Sequence, residues 1–151
     1  MKVDIVESSS AYIKASEEEA LQKGNQSRIE YHHGDYVHLA HSIGPHDLVC
    51  LDRVICCYPD MDSLVGLSAV NTKSLLAIVI PRDSFFHRTL VKTLHITFRL
   101  KSIFRPKTAI PRFYLHRMSD IEETIKWCGL ALIASKTTFF WRIALYQRSQ
   151  P

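Results

Sequence analysis

Two short apolar runs limit the possible folds more than any other feature of this chain. DLVCLDRVICC (47–57) and SLLAIVI (74–80) are almost continuous in apolar residues. A strand with one wet face alternates apolar and polar side chains, whereas a strand covered on both faces of a parallel sheet does not. Pro59 stops the first run, and Asp60 offers a cap to a helix with Met61, Leu64, Val65 and Leu67 at helical spacing. Pro81 ends the second run. Such strands need a substantial core around them, and 151 residues suffice for one domain with a real core.

The flanking sequence supplies the other elements. KVDIVE (2–7) alternates and carries β-branched residues, as a strand does. Ser8, Ser9 and Ser10 offer N-cap oxygens to a helix through AYIKASEEEALQK, and Gly24 suits the position just past its end. RIEYHH (28–33) reads as a second strand closed by Gly34-Asp35, with a short turn or helix over 36–42. Beyond Pro81, Phe86, Leu90, Leu94 and Phe98 recur at i+4 and predict a basic amphipathic helix over 83–101, followed by an irregular stretch with Pro106 and Pro111. Ser119 and Glu122 form a capping box for a helix reaching Trp127 and ended by Gly129. LALIAS and WRIALYQR are too close for a crossover helix, so they pair antiparallel. Buried strands in the middle of this order predict a three-layer α/β fold over residues 1–151.

Charge and cysteines narrow the function. The net charge of +4 is unevenly spread, with six Lys/Arg against eleven Asp/Glu in residues 1–80 and thirteen against four in 81–151. Nine basic residues between Arg82 and Arg117 face Asp83 alone, which suits an anionic small molecule, a lipid surface or simply a solvated face. Basic residues by themselves do not make a nucleic-acid readout surface, and none is expected. No apolar run approaches the ~20 residues of a membrane span, the first residues lack the apolar stretch of a signal peptide, and a cytoplasmic location is expected. Cys56 and Cys57 are adjacent, and on a strand their side chains diverge, which is poor geometry for one ion. The histidines fall into no zinc spacing with the four cysteines, so no metal site is expected. The pair is expected to end a buried central strand. A reactive thiol would need an electropositive, exposed niche.

Several landmarks fall in one order. They are Glu7 in VDIVESSS, Gly34-Asp35-Tyr36 after the next strand, Asp47 to Tyr58 as a further strand, and the closing pair 130–148. Together they resemble the class I S-adenosylmethionine-dependent methyltransferases, and GDYVHLA, LDRVICCYPDMD and IPRD are similar to a bacterial small-molecule subgroup of them. The resemblance implies a Rossmann-like methyltransferase sheet, mostly parallel, with a C-terminal antiparallel pair. It implies S-adenosylmethionine as cofactor, lying across the carboxyl ends of the strands. Glu7, with Ser8 beside it, would accept the ribose hydroxyls; Asp35 would bind the adenine amino group, with Tyr36 beside the ring. Asp52 and Arg53 would lie near the methionine portion. Tyr58, Asp60 and Arg82 would line the side of a small-molecule substrate, for which the basic stretch suits an anion. His87, His116 and Tyr58 are the candidate proton acceptors. Other roles compete for these residues: Glu7 as a charge at a helix N-terminus, Asp35 as a turn former after glycine.

The sequence departs from the family at its start. Class I enzymes carry a first strand and a glycine-rich loop before the acid, and only six residues precede Glu7. The glycines at 24, 34, 44, 66 and 129 form no substitute cluster. The chain therefore reads as an N-terminally incomplete methyltransferase-like domain whose second strand pairs with the fourth directly, receives a strand from another chain, or folds poorly. Self-association is one consequence. Two other functions stay open: a remnant without a competent cofactor site, and a membrane-surface module in which Phe86, Leu90, Leu94 and Phe98 enter the interface while Arg88, Lys92, Arg99 and Lys101 meet headgroups.

Overall fold

The computed structural model describes residues 2–82, 114 and 116–149. The expected basic helix over 83–101, its four apolar residues, His87 and the proline-containing stretch lie outside them. The chain forms two compact units, residues 1–44 and 45–151.

Unit 1 is a strand, a helix, a strand and a second helix. β1 (Val3–Glu7) and β2 (Ile29–His33) pair in parallel from Val3↔Ile29 to Glu7↔His33. The crossover is α1 (Ser10–Gln22), which leaves the sheet through Lys23 and Gly24, the latter at φ +68°, before a 3-10 turn over Gln26–Arg28. Ser9 is the N-cap as the serine run predicts, yet no serine side chain makes the capping bond. The Glu7 carboxylate takes the Ser9 N–H instead, at 2.8 Å. α2 (Tyr36–Ile43) follows, capped by Asp35, whose Oδ1 accepts from the Val37 N–H at 2.9 Å.

Unit 2 holds a four-stranded sheet in the order β3-β4-β6-β5. β3 (His46–Asp52) is parallel to β4 (Thr72–Pro81) through α3 (Met61–Val70). After α4 (Met118–Trp127), β5 (Leu130–Thr137) and β6 (Trp141–Arg148) form the expected antiparallel pair. β6 inserts between β5 and β4 and runs antiparallel to both. Asp60 caps α3 as its position predicts, accepting from the Ser63 N–H and hydroxyl at 3.1 and 2.6 Å. The core joins Leu64, Val65 and Ala69 of α3 and Ile121 and Ile125 of α4 to Leu76, Ile78 and Ile80 of β4, each 5% exposed or less.

Arg148 fastens this layer. Its guanidinium donates to the carbonyls of Ala69 (2.6 Å), Thr72 (2.7 Å) and Cys128 (3.0 Å), at the ends of α3 and α4 and the start of β4. A cation there satisfies carbonyls that have no partner within their own helix and lies at the negative end of both helix dipoles.

Four expectations are corrected. The first apolar run is not one strand: β3 stops at Asp52, Arg53 takes φ +58°, and Ile55–Cys57 form a 3-10 turn. Nor is β3 covered on both faces. It is the edge of its sheet, with Asp47, Leu48 and Cys50 exposed. The Ser119–Glu122 capping box does not form, because α4 starts two residues early, with Arg117 rather than Ser119 at its N-cap. Glu122 instead accepts from Arg142 Nη2 at 2.6 Å, joining α4 to β6. Direct pairing of β1 with β3 is also absent among the described residues, where the two strands belong to separate sheets.

Candidate functional site

In unit 1, two parallel strands end side by side, and their carboxyl ends carry the residues assigned to the cofactor. Glu7 is in register with His33, and the Gly34 N–H donates to the Glu7 carbonyl at 3.0 Å, which ties the two strand ends together. Gly34 lies at φ +151°, and a Cβ there would stand 3.0 Å from Leu39 Cδ1. Glycine therefore lets the chain turn from β2 into the Asp35 cap against α2. A ring nitrogen of His33 bonds the Ser8 carbonyl at 3.1 Å. Glu7, Ser8, Asp35 and Tyr36 are thus brought to one end of one sheet.

Their electrostatics fit acceptor roles. Glu7 Oε1 accepts from the Ser9 N–H at 2.8 Å and from the Ser8 hydroxyl at 3.4 Å. Among the described residues the other carboxylate oxygen, Oε2, makes no hydrogen bond. Asp35 Oδ1 is held by the α2 N-terminus, while Oδ2 stands 4.0 Å from His38 Nδ1. Both competing roles weighed from the sequence are therefore real: Glu7 sits against the start of α1 and Asp35 caps α2. Neither exhausts a carboxylate, which offers about four lone-pair sites.

Unit 2 gathers its candidates at the carboxyl ends of β3 and β4. Arg53 donates from Nε and Nη2 to the two oxygens of Asp52, at 3.1 and 3.0 Å, a two-pronged ion pair. The Asp52 carboxylate holds the Arg53 pKa above its ordinary value. The guanidinium carbon also lies 5.8 Å from the centre of the Trp141 ring, within cation–π range. The Arg53 N–H bonds the Val79 carbonyl at 2.9 Å, which fixes the left-handed turn that ends β3. Beyond β4, the Arg82 N–H bonds the Phe140 carbonyl at 2.8 Å and its side chain is exposed.

The remaining candidates have structural bonds. A ring nitrogen of His116 (Nε2) bonds the Tyr58 carbonyl at 2.8 Å, and the His116 ring stacks near Tyr114, with centroids 6.1 Å apart. The Ser63 hydroxyl and N–H hold Asp60 below the usual carboxylate range.

Cys56 and Cys57 can now be placed. They lie on the 3-10 turn with sulfurs 3.7 Å apart, Cys56 buried and Cys57 exposed. Burial, with Cys57 beside it, pushes the Cys56 thiol up to about 12. A thiol so protonated is a poor nucleophile.

Sequence reasoning missed Arg148 and the Arg53–Trp141 contact. Both depend on strand pairing across distant segments, and no local spacing announces them.

No family model matches the chain, and no curated protein matches it. Solved structures do. The magnesium protoporphyrin IX methyltransferase of Synechocystis PCC 6803, with bound SAH, superposes with a TM-score of 0.75 at 16% identity, covering 98% of this chain and 64% of that one. A putative sarcosine dimethylglycine methyltransferase from Galdieria sulphuraria gives 0.71 at 14% identity, covering 98% and 70%. A [4+2]-cyclase, SpnF, gives 0.69 at 8%, covering 98% and 66%. The chain thus has the class I methyltransferase fold, α/β and Rossmann-like with a C-terminal antiparallel pair, and spans about two thirds or less of the first of these structures.

Proposed function

We propose that this chain binds S-adenosylmethionine and takes part in methyl transfer to a small molecule. The observation that carries the reading is the convergence of Glu7 and Asp35 at the carboxyl ends of β1 and β2, with Glu7 Oε2 making no hydrogen bond among the described residues. Ligands of open α/β sheets bind at that end of the strands. Glu7 would accept hydrogen bonds from the ribose hydroxyls, with Ser8 beside it, and Asp35 would accept from the adenine amino group next to the Tyr36 ring. When bound, the cofactor supplies a sulfonium methyl group open to in-line displacement. The resemblance assigns the methionine portion to Asp52 and Arg53. The exposed Arg82 would hold an anionic acceptor, with Tyr58 and Asp60 at the rim. Positioning is the main work of such a site. Where the acceptor must lose a proton, His116 or Tyr58 would take it, and His87 is a third candidate. The proposed setting is cytoplasmic. Among the described residues no helix is long and apolar enough to cross a membrane.

Titration calorimetry of the full chain with S-adenosylmethionine and S-adenosylhomocysteine tests this. Micromolar binding to the wild type, weakened about 10-fold or more in Glu7→Gln, is expected. Gln keeps an acceptor for the Ser9 N–H and loses the charge that favours a diol. A folded chain that binds neither compound would sink the reading.

A second reading has its own support: a scaffold that keeps the fold without the chemistry. The five glycines are scattered rather than clustered, and a fold neighbour described as a [4+2]-cyclase shows that this fold carries more than one activity. Calorimetry separates the two readings.

A further inference from the structure

The faces of β1 and β2 differ in a way the proposed cofactor role does not explain. Side chains alternate along a strand, so Val3, Ile5 and Glu7 share one face with Ile29, Tyr31 and His33. Tyr31 meets α1 there, its hydroxyl 3.2 Å from Ser16 Oγ. The opposite face carries Asp4, Glu30 and His32. Asp4 and Glu30 are direct register partners, and His32 lies two residues further along β2. Parallel strands ordinarily present apolar residues on both faces. Two carboxylates directly opposite each other across a ladder repel. His32 brings an imidazole nitrogen to the same face.

His32 Nε2 lies 2.8 Å from Asp4 Oδ1, and one ligand atom from each of Asp4, Glu30 and His32 falls within 4.8 Å of the others. Asp4 and His32 are half-buried while Glu30 is exposed, so one side of the trio stays open to water. We propose that Asp4, Glu30 and His32 form a binding site for a divalent transition-metal ion of the zinc type. An imidazole nitrogen with two carboxylate oxygens suits Zn²⁺ or Co²⁺ better than Mg²⁺ or Ca²⁺, which prefer all-oxygen shells. Two ligands of a tetrahedral zinc stand about 3.4 Å apart at ordinary bond lengths. The three atoms would have to close from within 4.8 Å to that spacing, with water in the fourth position. The ion would tie β1 to β2. Unit 1 has reason to use such a tie: its sheet has only two strands, and Ala20 and Ala40 are its only buried apolar residues among those described. The site is separate from the strand ends and stands or falls independently of cofactor binding.

The test is titration of the EDTA-treated full chain with ZnCl₂, CoCl₂ and MgCl₂, with His32→Gln and Glu30→Gln alongside. One Zn²⁺ per chain is expected, at least 10-fold tighter than Mg²⁺ and at least 10-fold weaker in each variant. Thermal melts followed by circular dichroism should rise with Zn²⁺ in the wild type and not in the variants. Glu30 is exposed, so Glu30→Gln keeps the fold and guards against a misfolded His32 variant. Zn²⁺ no tighter than Mg²⁺, or binding unchanged in both variants, would overturn the proposal. So would a cobalt complex with a thiolate charge-transfer band, which would place the ion on cysteine.

Discussion

Replacing Arg148 should unfasten unit 2. The guanidinium makes three hydrogen bonds, to the carbonyls of Ala69, Thr72 and Cys128, at 2.6 to 3.0 Å. Hydrogen bonds involving a charged partner contribute about 1.5–3 kcal/mol each, so a naive sum for three is about 4.5–9 kcal/mol. The side chain is half-exposed, however, and water can replace part of what is lost. The helix-end charge term adds no more than about 1 kcal/mol. Arg148→Met, which keeps the apolar stem, should therefore cost about 3 kcal/mol. Arg148→Lys should recover roughly a third of that, since an ammonium lacks the planar fork that serves several carbonyls at once. Urea unfolding followed by tryptophan fluorescence reads this directly: the chain has two tryptophans, Trp127 and Trp141, and both lie in unit 2. The midpoint should fall with the slope unchanged. A loss under about 1 kcal/mol in Arg148→Met would mean that the three carbonyls are as well served by water, and the fastening argument would be wrong.

Alkali should destabilise the chain earlier than its lysines alone would dictate. Burial lifts Cys56 and Tyr146 to about 12 each, above their unfolded values, so the folded state holds protons that the unfolded state has released. Stability must then fall from about pH 9 toward 12; unfolding midpoints across that range check it, and Cys56→Ala should flatten the lower part. Gly34→Ala should weaken S-adenosylhomocysteine binding several-fold by calorimetry. Its Cβ would press on Leu39 at a left-handed φ and displace the Asp35 cap. Unchanged affinity in a folded Gly34→Ala chain would separate the α2 entrance from the cofactor.

What the sequence made legible is what local patterning controls. Asp60 before Met61, Gly24 after α1, and the closing strand pair are all placed by punctuation, and the structure follows them. The end of β3 was hidden because Arg53 takes a conformation usually announced by glycine or asparagine, and DRV carries no such mark. The capping box failed for a different reason. Glu122 matched the local pattern, but Arg142 on β6 competes for it from twenty residues away. No local spacing marks the Asp4–Glu30–His32 trio, because two of its members come together through strand register, 26 residues apart in sequence. Glu7 and Asp35 were legible as strand-end acids, though not their double employment.

That double employment ranks the candidates. Asp60 gives both oxygens to Ser63, and Asp52 gives both to Arg53. A ligand claiming either would have to share oxygens that already hold the turn or the helix. His116 commits a ring nitrogen to the Tyr58 carbonyl, so a role as base would fall to the other nitrogen or require the loop to shift. Glu7 is different, because its structural bonds all fall on Oε1 and the opposite oxygen is uncommitted among the described residues. Arg53 keeps Nη1 beyond its two bonds to Asp52, and Arg82 is exposed. Lone-pair and donor capacity therefore favours acceptor chemistry at the strand ends of unit 1 and cationic recognition at those of unit 2. A nucleoside cofactor with a ribose diol would suit the first, and an anionic acceptor molecule the second.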